Sequence, residues 1–163
     1  MTNASLIKAQ DNFPDVAIHI KPDDQIDTLS LKAWGAGRKV VLFAVPGAFT
    51  PTCSARHLPD FVAHLDDLKA KGVDAVGCLA VNDAHVMAAW SAANDASSID
   101  MLADPLGDAA SALGIFVVNA PALGNTRAAR MALIADDGVV SHVFMEEPGA
   151  YEVSSPKHIM SHL

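Results

Sequence analysis

The chain of 163 residues holds only two cysteines, Cys53 and Cys78, which form no C-x-x-C pair, no zinc-type set and no framework of several disulfides. That scarcity makes a stapled secreted scaffold improbable and points to a reducing compartment, the cytoplasm being the expected one. Half the residues are hydrophobic (51%), yet no apolar run approaches the roughly 18 residues of a membrane-spanning helix. The opening MTNASLIKAQ also lacks the apolar stretch of a secretory signal, so no membrane partner is expected. Blocks of lysine or arginine are missing too. The formal net charge of −8 comes from scattered acidic residues, and successive phosphates of a nucleic acid would find nothing to neutralise them. No repeat, low-complexity tract or linker interrupts the chain, and its length suits one domain, expected over 1–163, that buries a core without disulfide or metal.

What is present alternates between strand and helix patterns. Residues 15–20 (DVAIHI) alternate apolar and polar side chains as a half-exposed edge strand does, whereas residues 40–45 (VVLFAV) are apolar throughout and belong mid-sheet. Between residues 54 and 71, Leu58, Phe61, Val62, Leu65 and Leu68 recur at helical spacing, and Pro59 inside this helix predicts a kink. A buried strand over 73–81, a helix over 83–94 and a short strand near 99–103 follow. This β-α-β-α-β order requires a parallel sheet covered on both faces, because parallel neighbours need a crossover. RMALIA and VVSHVF flank Asp136-Asp137-Gly138, a tight-turn sequence, so an antiparallel hairpin closes the sheet before a last helix. The expected fold is α/β: a single thioredoxin-like domain with a mixed central sheet and helices on both faces.

One of the two cysteines lies where a buried strand meets a helix, in VPGAFTPTCSARHLP (45–59). Thr50-Pro51 is a strong helix start, since a threonine hydroxyl can cap an orphan amide and proline at the first helical position loses no needed bond. Cys53 then falls in the first turn, near free amides and the positive end of the helix dipole, which favour thiolate over thiol. Thr50 can be a plain cap, or can aim its hydroxyl at the sulfur or at a bound oxygen. Pro46 offers only carbon surface and could screen the sulfur from water. A first-turn cysteine can also be a small hydrophobe under the helix.

Together Pro46, Thr50 and Cys53 form P-x-x-x-T-x-x-C, and here the chain resembles the type II, or peroxiredoxin-five-like, branch of the peroxiredoxins. The resemblance extends to CLAVNDAHVMAAW and DDGVVSHVFMEEPGAYEVSS and so covers nearly the whole length. It implies a thiol-dependent peroxidase acting on hydrogen peroxide and alkyl hydroperoxides. Cys53 would be the peroxidatic nucleophile, oxidised to a sulfenic acid, with Thr50 hydrogen-bonding the peroxide and Pro46 shielding the sulfur. Arg130 matches the family's distant arginine, whose permanent charge and planar donors suit a developing oxyanion. Arg127 is its rival, otherwise a solvated loop residue.

The resemblance also raises the question of what restores Cys53. Some members of this branch carry a resolving cysteine near the chain end, but the matching stretch GAYEVSS places Ser154 or a neighbour there. Cys78, mid-strand among apolar neighbours, reads as structural. The expectation is therefore a one-cysteine enzyme reduced from outside by glutathione with glutaredoxin, or by thioredoxin. The branch tends to pair as homodimers, which would bring Phe49 and the 106–116 stretch to an interface. Trp90, on an alanine-rich helix, reads as core or interface filler.

Other readings are weaker. Cys53, His57 and His64 lie near one helix face, but the third is too far along to share one ion, so neither metal nor cofactor is expected. His57 has no orienting partner of evident spacing that would make it a base toward Cys53, and reads as support behind the site or as a hydrogen-bond partner of the backbone. A non-enzymatic redox sensor or a thioredoxin-like partner-binding protein would use the same cysteine, whereas a thioredoxin-type exchanger would need a second cysteine at position 56, which is Arg56. The terminal Ser161-His162-Leu163 is one substitution from a peroxisomal address.

Overall fold

The computed structural model describes residues 3–124 and 126–163. The alternating segment near the N-terminus becomes β1 (Ala17–Ile20), which pairs antiparallel with β2 (Asp27–Ser30). β2, which the sequence reading leaves out, takes the sheet edge and moves β1 one place inward. Its last residue, Ser30, caps the short helix α1 (Leu31–Gly35) by accepting a hydrogen bond from the Ala33 amide.

The continuously apolar segment forms β3 (Lys39–Ala44), buried from Val40 onward. After it the chain turns into a helix at Pro51, passes through a π turn over Cys53–His57, and continues as α2 (Leu58–Ala70). The Leu58 amide bonds to the Cys53 carbonyl five residues back, the wider repeat that defines the π turn. Pro59 follows directly on this turn within one continuous helical run, and the widened repeat upstream accommodates its missing N–H. In place of the kink expected at Pro59, the structure has a π turn upstream of it, and Pro59 itself lies in regular α-helix.

β4 (Ala75–Ala80), α3 (Ala84–Ala93, capped by Asp83) and β5 (Asp100–Ala103) complete the parallel unit, with β3, β4 and β5 in parallel register. A short helix α4 (Asp108–Ala112) leads to a small two-stranded ribbon of β6 (Phe116–Val117) and β7 (Arg127–Ala128). β8 (Met131–Asp136) and β9 (Val139–Met145) form the expected hairpin. Its two turn residues, Asp137 and Gly138, both have positive φ (48° and 75°), as a type I′ turn requires. The last helix is α5 (Pro156–Met160), capped by Ser155.

The seven-stranded order is β2-β1-β5-β4-β3-β8-β9, mixed in direction. Period-two alternation divides the strands between two cores. Val41, Phe43, Val76 and Cys78 face Phe61, Leu68, Met87, Trp90 and Ile159 of α2, α3 and α5. Val40, Leu42, Ala75 and Leu79 face Leu31, Trp34, Ala109 and Leu113 on or beside α1 and α4. The expected helices on both faces are present.

Gly77 of β4 lets the buried Trp34 ring lie directly on the sheet, since a Cβ there would come within 2.6 Å of the indole. The indole is also held by its N–H, which donates to Asp100 Oδ2 at 2.9 Å, so it cannot move aside freely. Gly77→Ala should therefore lower stability by about 1–3 kcal/mol, as overpacking typically does, measured by chemical denaturation.

Candidate active site

β3 lies between β4 and β8, so its carboxyl end opens at the middle of the sheet, and the chain leaves it through Val45 to Thr50. The Val45 amide still donates to the Leu79 carbonyl (3.0 Å), and the Ala48 amide donates to Asn82 Oδ1 (2.9 Å), which ties this loop to the end of β4. Gly47 leaves room for a close approach, since a Cβ there would lie 3.1 Å from Arg127 Nη1 and 3.2 Å from Thr50 Cγ2. Phe49 holds a left-handed conformation (φ 61°) and is 57% exposed.

Thr50 does not cap the helix with its hydroxyl. Oγ1 donates to the Gly47 carbonyl at 2.7 Å, which fixes the rotamer and leaves the oxygen's lone pairs to accept from a bound group. The π turn carries no side-chain cap either. Cys53, one turn on, is fully buried within the core cluster of α2, α3 and α5.

Arg130, just before β8, reaches the sulfur: its Nη2 donates to Cys53 Sγ at 3.1 Å, and its Nη1 donates to His57 Nδ1 at 2.7 Å. A guanidinium cannot accept, so Nδ1 must carry the lone pair. The other ring nitrogen, Nε2, then bears the proton and donates to the Ser154 carbonyl at 3.1 Å. His57 is thus a neutral imidazole in one tautomer. Burial, then the Arg130 charge, push its pKa down to about 3, against weaker opposition from the Ser154 bond and Glu146. With both nitrogens engaged it is no base for Cys53.

Ser154 is itself held. Glu146, one residue past β9, accepts from the Ser154 hydroxyl (2.7 Å) and from the amides of Glu152 (2.6 Å), Val153 (3.2 Å) and Ser154 (3.0 Å). Partial burial works against its charge, but these bonds prevail and hold its carboxyl below the usual range. Its own amide donates to the Arg130 carbonyl at 3.2 Å. Nothing local in the sequence marks Glu146, whose partners are the Arg130 carbonyl and donors six to eight residues further on.

Pro46 and Arg130 line one cavity of about 340 Å³ together with Thr52, Val117, Leu123 and Glu146. Arg127 also faces it but is no solvated loop residue: its Nε donates to the Leu123 carbonyl and its Nη1 to the Val81 carbonyl, bracing the β6–β7 ribbon to the end of β4. Cys78 sits mid-β4 with all its strand neighbours buried, and burial, then the proximity of Cys53, hold its thiol well above the ordinary range. Trp90 is core, and its indole N–H donates to Ser54 Oγ at 2.9 Å, fastening α3 to the π turn. His64 pairs with Asp60. Among the described residues no group of three histidine, cysteine or acidic side chains could hold a metal ion.

A buried cysteine at a strand-to-helix junction, under a guanidinium, on a mixed sheet with helices on both faces, defines a thioredoxin-like thiol oxidoreductase. The chain matches the redoxin family over residues 8–157. It is 42% identical to peroxiredoxin-2E-2, chloroplastic, of Oryza sativa subsp. japonica over 99% of its own length and 75% of the relative's. It is 39% identical to peroxiredoxin-2B of Arabidopsis thaliana, over 96% and 98% of the two chains. The reduced Prx3 of Vibrio vulnificus crystallised in complex with hydrogen peroxide superposes with a TM-score of 0.92 at 41% identity, covering 96% of this chain and 99% of that one. The chain belongs to the redoxin family, and within it to the peroxiredoxins: it is a thiol-dependent peroxidase.

The state of His57 has a measurable consequence for stability. An unfolded histidine takes up a proton near pH 6.5 and the folded one only near 3, so the unfolded chain binds more protons between these limits. The stabilisation is complete above about pH 6.5 and is lost as pH falls, at most by about 1.4 kcal/mol per unit. His57→Phe, which keeps the ring against Phe43, Phe61 and Tyr151, should flatten that part of the profile relative to wild type in urea titrations between pH 6.5 and 4.

Proposed function

We propose that Cys53 is the peroxidatic cysteine, with Thr50, Pro46 and Arg130 as its catalytic surroundings, and that the substrates are hydrogen peroxide and alkyl hydroperoxides. The observation that carries this is the Arg130 Nη2 to Cys53 Sγ contact at 3.1 Å. A guanidinium N–H on sulfur favours the anionic nucleophile, and the same plane carries further N–H groups that can donate to the peroxide oxygens.

The Cys53 thiolate attacks the terminal oxygen of R–O–O–H. The S–O bond forms as the O–O bond breaks, the terminal oxygen keeps its proton, and Cys53 becomes a sulfenic acid. The departing alkoxide, or hydroxide, leaves with the electron pair and takes a proton from water. Thr50 Oγ1, its own proton given to Gly47, accepts the peroxide O–H and holds the terminal oxygen before the sulfur. Arg130 stabilises the charge that grows on the leaving oxygen, and such preorganised donors act most strongly in a dry site. Pro46 forms the carbon wall that keeps the site dry. The cavity beyond it presents Val117, Leu123 and Ala120 alongside its polar residues, which suits an alkyl chain on the leaving oxygen.

The sulfenic acid is reduced from outside, by glutathione with glutaredoxin or alternatively by thioredoxin, in a one-cysteine cycle. One thiol condenses with it, releasing water and leaving a mixed disulfide, and a second thiol displaces Cys53. Two features support this: in GAYEVSS, Ser154 or a neighbour stands where the resemblance would place a resolving thiol, and Cys78 is sealed within the sheet. Two free thiols fit a reducing compartment such as the cytoplasm. The Ser161-His162-Leu163 ending would serve as a peroxisomal address only if freed, since Leu163 packs against the core. Exposed apolar side chains at this end of the sheet, Phe49 (57%), Leu106 (73%) and Val118 (54%), support a homodimer formed around the active site.

Cys53→Ser should abolish peroxide consumption, and Arg130→Ala should lower kcat/KM by about 10²–10³-fold in a coupled assay. Mass spectrometry after one equivalent of peroxide should show one added oxygen on Cys53 or its trapped adduct; a Cys53–Cys78 disulfide would overturn the one-cysteine cycle. A sensor would consume about one equivalent where the enzyme turns over with added thiol. Light scattering should give twice the 17.0 kDa chain mass, and Phe49→Asp should shift it toward the monomer.

A further inference from the structure

We infer that Glu146 and His57 are positioning residues which fix the catalytic guanidinium through a directional hydrogen-bond chain, so that the segment after β9 sets the geometry of the sulfur at the far end. The inference rests on the peroxidase reading above and goes beyond it by assigning the chain's end a part in the chemistry.

The direction of every link follows from what each group can do. The carboxylate of Glu146 only accepts, and it gathers three successive amides and the Ser154 hydroxyl, so the 152–154 backbone has one orientation. That orientation points the Ser154 carbonyl at His57 Nε2, 3.1 Å away. A carbonyl only accepts, so Nε2 carries the proton. Nδ1 is left as an acceptor, and Arg130 Nη1, which can only donate, takes it at 2.7 Å. With one edge pinned, the rigid plane of the guanidinium places Nη2 against Sγ at 3.1 Å.

The opposite tautomer would aim an imidazole N–H at a guanidinium N–H and leave Nε2 without a donor toward the carbonyl. Imidazolium would do the first and add charge repulsion. Either change turns Arg130 away from the sulfur. A second tether keeps the segment in place: the Tyr151 hydroxyl donates to Asp60 Oδ2 at 2.6 Å, and Arg56 lies 4.8 Å from the Tyr151 ring centre. The hydroxyl side chain at position 154 is thereby part of the support for Cys53.

The test pairs nitrogen NMR of the imidazoles with the single-turnover rate of Cys53 oxidation by hydrogen peroxide, on the reduced full chain. In wild type, His57 should show a protonated Nε2 and an unprotonated Nδ1 throughout pH 5–8. Glu146→Gln should mix the tautomers and slow oxidation by up to about 10²-fold, the scale of a small misplacement of a reacting group. His57→Phe should slow it comparably, and the double variant should be no slower than His57→Phe alone, because both act through one chain. Wild-type rate and tautomer in Glu146→Gln, or additive losses in the double variant, would overturn the inference. If Glu146→Gln does not fold, Ser154→Ala, which keeps the carbonyl and removes one donor, should shift rate and tautomer in the same direction; no shift in either would also overturn it. A wild-type protein that consumes no peroxide while His57 keeps the stated tautomer defeats the peroxidase reading and leaves the hydrogen-bond chain standing.

Discussion

The guanidinium of Arg130 is the interaction around which the site is organised. One rigid, permanently charged plane joins the helix start that carries Cys53 to the ring of His57, and it is delivered from the strand beside β3. Its charge has two consequences. On the sulfur it offers an N–H donor, and on the imidazole it adds to the effect of burial in excluding a proton, so the histidine nearest Cys53 is a neutral spacer and no acid or base.

The architecture makes that plane available. β3 is interior to the sheet, flanked by parallel β4 and antiparallel β8, so the loop after Ala44 and the residue before Met131 meet at one edge of the layer. Helices on both faces bury the strands, and Cys53 and Cys78 lie in one core cluster but in different settings. Cys78 is enclosed by its strand neighbours, whereas Cys53 sits on a π turn at a helix start with a polar partner. The widened turn also admits Pro59 directly downstream without breaking the helix that carries the site.

Much of this was legible in residue order. The strand–helix junction, the parallel unit, the Asp137-Gly138 hairpin and the spacing of Pro46, Thr50 and Cys53 are local features, and local sequence encodes them through periodicity and turn chemistry. Edge strand β2, helices α1 and α4 and the β6–β7 ribbon escaped it, because segments of two to five residues carry too few side chains to show a period. The Thr50 hydroxyl is a subtler case. Its position at the helix start suggested a cap, but the Gly47 carbonyl, brought close by the turn after β3, offers the bond it takes.

The sequence by itself determined the setting of the proposed nucleophile: a cysteine in the first turn after a buried strand, with a hydroxyl and a proline at fixed spacing, and two arginines, Arg127 and Arg130, as candidates to meet it. Only the tertiary structure decided which arginine reaches the sulfur and which braces a loop, and that His57 is neutral in a single tautomer. It also recruited Glu146 and Ser154 to the site's support. The reason is separation along the chain: Cys53 and Arg130 are 77 residues apart and His57 and Ser154 are 97, so their contacts exist only once the sheet has brought β3, β8 and the segment after β9 together.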